Sequence, residues 1–207
     1  MALNAVRHTR CGSGFLTVAC VTLVLSTTGH AHLTVEGVGD VANGALHPVM
    51  TPVHVMVFLG LGLLLGQQVP FRLKTPMRVF MPALAAALLV TLTGRVSGIH
   101  QLVLIILALL VATLVALQTK VPGWILAVLC GAVACAIGMD SGLDTGSSLV
   151  RIKTLAGTWL SLNAAVFYIA ACASHGADGK WASAGIRILG SWIIAISLMM
   201  LAFSLRK

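Results

Sequence analysis

His47 and His54 stand in the run Gly44-Ala45-Leu46-His47-Pro48-Val49-Met50-Thr51-Pro52-Val53-His54, which leads into the apolar stretch Val-Met-Val-Phe-Leu-Gly-Leu-Gly. Imidazole is the commonest metal ligand among side chains, and it exchanges its proton near neutral pH. An ionisable group inside an apolar span is a functional candidate, because lipid offers it no partner. On one continuous helix the two histidines would share a face. They would also lie about 10 Å apart along the axis, too far to close on one ion. The prolines relieve this. Pro48 and Pro52 favour the start of a helix and disfavour its interior. A helix beginning near Pro52 leaves His47 on an extended lead-in that can fold back toward His54. Met50, between them, could add a soft thioether. The alternative leaves His47 among lipid headgroups and His54 bonded to a neighbouring helix.

The composition says what holds these residues. Of 207 residues, 58% are hydrophobic and 9% are charged, against about 25% charged in a soluble domain. The fold class is therefore an all-α membrane protein, a polytopic helix bundle whose main partner is the lipid bilayer. The net charge of +8 contains no basic run. Its positive residues sit singly between apolar stretches, as topology signals do, so nucleic acid is not an expected partner.

Arg7 and Arg10 precede an apolar stretch from Phe15 to Ser26, and Gly29-His30-Ala31 supplies small residues for cleavage before His32. This predicts a signal peptide over 1–31 and a transmembrane domain over 32–207. Six apolar stretches follow at 48–66, 77–94, 99–117, 121–139, 155–174 and 185–205, each near the roughly 20 residues that cross a bilayer. Pro122 fits the first turn of the fourth, and 140–154 reads as the one long loop. With the signal starting inside, Arg7, Arg10, Arg72, Lys74, Arg78, Lys120, Lys180 and Arg187 fall inside. Arg95, Arg151, Lys153, Arg206 and Lys207 fall outside, a bias of the expected sign. Cys130 and Cys135 point about 140° apart on a helix; with Cys172 they read as buried small hydrophobes, not as a disulfide framework.

This orientation gathers His32, Glu36, Asp40, His47, His54, His100, Asp140 and Asp144 on the exterior face. Imidazole with carboxylate suits intermediate divalent ions such as nickel or zinc. The candidate ligands are His47 and His54, with Asp140 or Asp144, and with His32 if cleavage makes it the new N-terminus. Asp140 and Asp144 share a face if their stretch is helical. Equally, the two acids could solvate a loop and attract Arg151 and Lys153. Asn163 lies mid-helix, where an amide needs a partner; it is either interhelical glue or part of a transport path. Gly62 and Gly66, like Ala134 and Gly138, have the spacing that allows close helix approach.

The pattern His47-Pro48, then His54 and a glycine-rich helix with Gly62, resembles the signature of the HupE/UreJ family, as does the order of a signal followed by six short helices. The resemblance implies a multi-pass protein of the bacterial inner membrane that transports a nickel-like divalent ion; cobalt, copper or zinc are further candidates. It also admits a non-transporting accessory protein that binds metal, copper included, or assists a metalloenzyme or its maturation proteins. The chain departs from the family pattern at Thr51 (glycine in the family), Val53 (aspartate) and Phe58 (methionine). The family's later histidine-rich stretch is Ile137-Gly138-Met139-Asp140-Ser141-Gly142-Leu143-Asp144 here, and Leu162-Asn163 replaces its Leu-His. A haem protein would need histidines at matching depth on facing helices, which only His54 and His100 could supply. No nucleophile–base set or phosphate loop is visible, so an enzyme is not expected.

Overall fold

The computed structural model describes residues 38–71, 73–93, 101–142, 147–176 and 179–206, all helices and connections, with no strand among them. The segment 1–31, read from the sequence as a signal peptide, and the residues His32, Glu36, His100, Asp144 and Asp178 lie outside the described residues. Among the described residues seven helices run in order: α1 Asp40–Met50, α2 Pro52–Gly66, α3 Lys74–Thr91, α4 Gln101–Ala116, α5 Gly123–Asp140, α6 Ser148–Gly176 and α7 Lys180–Leu205.

Each of the six apolar stretches holds a helix. Among the described residues three helices, Gly123–Asp140, Ser148–His175 and Trp181–Leu205, are long and apolar enough to cross a membrane. The pair α1 and α2 makes a fourth if it counts as one span, bent by 79° at its break. Helix α4 is apolar but shorter, and the first turns of α3 carry Lys74, Pro76 and Arg78.

The bend follows from the two prolines. Pro52 disfavours helical geometry in the residue before it, and Thr51 is extended at φ −96°, ψ 105°. Pro52 then occupies the first turn of α2, where a missing N–H costs nothing. Pro48 behaves otherwise. It lies inside α1, so the Gly44 carbonyl four residues back loses its helical donor. The hydroxyl of Thr158 on α6 lies 2.9 Å from that carbonyl and 3.1 Å from the carbonyl of Thr154, one proton serving both.

The approach that permits this contact needs glycine. A Cβ at Gly44 would overlap the Thr154 carbonyl oxygen, and one at Gly157 would overlap the Val41 carbonyl oxygen. Helices α1 and α6 therefore meet backbone to backbone. Helix α2 packs on α6 running parallel to it, Gly62 seating against Ile169 and Gly66 against Ala170 and Ala173. Gly138 of α5 likewise meets Ala87 and Leu84 of α3. Both small-residue spacings are thus used at helix seams.

Helix α2 is the core element. It is buried from Val53 to Gly66 apart from Val55 and Leu59, packed chiefly on α6 and α4. A helix apolar all round belongs in such a position. The remaining strong pairs are α3 with α5 and α4 with α7. At the far end of α2, the Gln68 amide bonds the Thr119 carbonyl and the Val121 N–H, holding the turn between α4 and α5.

The structure corrects several sequence readings. His47 is on a helix, α1, not on an extended lead-in, because the run from Asp40 to Met50 folds as its own short helix ahead of the break. Pro122 caps α5 from just outside it. The segment read as a loop to residue 154 is helical from Ser148, since Arg151 and Lys153 end the apolar zone without ending the helix. The helical stretch that would align Asp140 with Asp144 stops at Asp140, where the Ser141 hydroxyl bonds the Ile137 carbonyl at 2.7 Å. Cys130 is buried, but Cys135 and Cys172 are exposed, and all three are free.

Candidate metal site

The break at Thr51 sets α1 at 79° to α2. The His47 and His54 rings consequently meet edge to face, their centroids 5.7 Å apart and their planes at 75°. The Thr51 hydroxyl secures the corner by donating to the His47 carbonyl at 2.9 Å, and the Thr51 carbonyl accepts from Val55 N–H as α2 begins.

His54 lies in the first turn of α2 and is fully buried. Its Nε2 is 2.9 Å from Oδ2 of Asp140, the last residue of α5. The Asp140 side chain is 27% exposed, so its outer oxygen can reach water. A carboxylate near the first turn of α2 is favoured by the partial positive charge of that helix end. The ends of α1 and α5 add partial negative charge beside it, which favours a cation. Nδ1 of His54 is buried and has no hydrogen-bond partner among the described residues.

Of the expected ligands, the structure brings His47, His54 and Asp140 together; His32 and Asp144 lie outside the described residues. Among the described residues no group of three or more His, Cys, Asp or Glu side chains is arranged to hold one ion. Met50 is 56% exposed and does not close over the rings. Asp140 pairs with His54 and not with Arg151 or Lys153. Arg151 instead donates to the Thr91 carbonyl at the end of α3, at 3.1 Å. Lys153 reaches Asp40 at 4.0 Å, both side chains well exposed, a contact worth little in water.

Asn163 is 7% exposed on α6. Its amide donates to the Trp159 carbonyl of its own helix at 2.7 Å, so this bond is not interhelical glue. Its Oδ1 is buried without a partner among the described residues.

Thr158, Gly157 and Gly44 were not singled out from the sequence, yet they dock the helix that carries His47. The signal was present: an interior Pro48 requires an outside donor for Gly44. Gln67 was also passed over. Its amide bonds the Leu114 carbonyl at 3.2 Å, and its Oε1 is buried without a partner among the described residues.

Comparison with curated proteins and with solved structures found no match. The family model described as HupE / UreJ protein matches residues 19–200. That family is associated with nickel or cobalt transport and with accessory roles to urease or hydrogenase. The match takes in α1 to α6 whole, the histidine-bearing break included, and α7 as far as Met200, and the chain belongs to the HupE/UreJ family.

Proposed function

We propose that this chain carries a divalent transition-metal ion, nickel-like in its chemistry, across the bacterial inner membrane from a His/Asp site on the periplasmic face. The observation that supports this most directly is the helix break at Thr51, which sets His47 against His54 while Asp140 holds His54. Imidazoles beside a carboxylate suit an ion of intermediate softness. In this reading α2 to α7 are the six spans, residues 1–31 are removed, and His32 and Asp144 complete the outer mouth. The hydrated ion sheds water onto His47 and His54. Asn163 then offers a neutral oxygen deeper along α6, where an unpaired carboxylate would cost several kcal/mol.

A second reading has its own support. Below the site, Gly62 and Gly66 press α2 onto α6, so the seam between these two helices is closed. A protein that holds its ion at the outer face, copper included, or passes it to a metalloenzyme or its maturation proteins needs no open seam. Uptake of nickel, cobalt, copper and zinc by the purified protein in proteoliposomes separates the two. Saturable nickel uptake that His54→Ala abolishes supports the permease. Equal uptake with and without His54 sinks the site, and tight binding with no flux replaces transport by the accessory role.

A further inference from the structure

Resting on the metal-binding reading above, we propose that Asp140 is a positioning residue and not a ligand, and that His54 meets the ion through Nδ1. A carboxylate has only acceptor oxygens. Its 2.9 Å contact with Nε2 of His54 therefore claims the ring N–H. A neutral imidazole with its proton on Nε2 carries its lone pair on Nδ1. That atom is buried and without a hydrogen-bond partner among the described residues, in a side chain with no exposure at all. Buried acceptors in native proteins are normally satisfied, so an orphaned one on a ring in edge contact with a second histidine marks a place for an electrophile. The His47 ring is 5.7 Å away between centroids.

Metal-bound histidines generally give their other N–H to a carboxylate or carbonyl, which fixes the tautomer and the ring plane. Here the usual choice of nitrogens follows from position. His54 enters from the first turn of α2 and Asp140 from the end of α5, and it is Nε2 that reaches the carboxylate. The exposed Asp140 oxygen stays with water. The carboxylate thus comes from a helix 86 residues away in sequence, while position 53, beside His54, holds a buried valine.

The test uses the full chain in detergent micelles with 15N-labelled histidine, the His54 signals being those lost in His54→Gln. In the metal-free protein, the proton should be on Nε2 and the lone pair on Nδ1. Added zinc ion, a diamagnetic probe, should shift Nδ1 and leave the Nε2 proton in place. Asp140→Asn should keep this tautomer, because the amide oxygen still accepts, and weaken zinc binding by roughly 10–100-fold. Asp140→Leu should lose the tautomer preference; if that variant fails to fold, the Asn variant carries the test. A metal-free His54 protonated on Nδ1, or zinc bound through Nε2 or directly by Asp140, overturns the inference alone. An unmutated protein that binds no zinc, nickel or cobalt overturns the functional reading and this inference together.

Discussion

The hydroxyl of Thr158 lies 2.9 Å from the carbonyl oxygen of Gly44, the carbonyl that Pro48 deprives of its helical donor. The contact joins the helix carrying His47 to the longest helix of the described residues. It is buried, so nothing but protein can satisfy that carbonyl. Thr158→Val should lower stability by about 1–3 kcal/mol, the cost of an unmet buried acceptor, while Thr158→Ser should retain most of it. In a Pro48→Ala background, which restores the N–H, the Thr158→Val loss should shrink. Thermal denaturation of the four variants in detergent, read as a double-mutant cycle, gives the coupling. Additive losses would disprove it.

The glycines divide by what surrounds them. A Cβ at Gly157 meets the backbone of α1, whereas at Gly185 it meets nothing within 4 Å. Gly157→Ala should therefore destabilise by at least the about 1–3 kcal/mol of overpacking, and it should loosen metal binding because α1 carries His47. Gly185→Ala, on an open helix face, should be neutral or stabilise by up to about 0.5–1 kcal/mol. Melting temperatures of the two variants check this, and similar shifts in both would rule out the backbone contact.

Asn163 separates path from scaffold. Its Oδ1 already lacks a partner among the described residues, so Asn163→Ala should leave stability unchanged or slightly raised. If the amide lines the route, initial uptake rates should fall several-fold while binding at the outer site stays intact. Flux assays beside equilibrium binding measure both. A fall in stability with unchanged flux would make the amide structural.

Helix ends segregate in a way that topology reporters can check. Thr91 contacts Arg151 and His54 contacts Asp140 at one end, while Gln68 contacts Thr119 and Gln118 contacts Ser183 at the other. A reporter fused at Lys180 should be cytoplasmic, and one fused at Lys207 periplasmic. A periplasmic Lys180 reporter would invert the protein and move the histidine pair to the inner face.

The membrane class, the apolar helices and the start of α2 at Pro52 could be read directly from the chain. Each is a local property: few charges, apolar stretches of suitable length, and prolines whose rings act on the adjacent backbone. The importance of His47 and His54 was legible for the same reason, being a matter of residue type and spacing. What the chain could not convey was direction. Helix α2 is apolar on every side, so no stripe in its sequence names its neighbours; only packing makes it the core and seats Gly62 and Gly66 on α6. Asp140 and Asp144 were equal candidates to join His54 until the end of α5 came to rest against it and put Asp140 on its ring. Thr158 looked like an ordinary helix residue until α1 docked beneath it. Such partners are chosen by close packing over long sequence separation, and only the tertiary structure settles it.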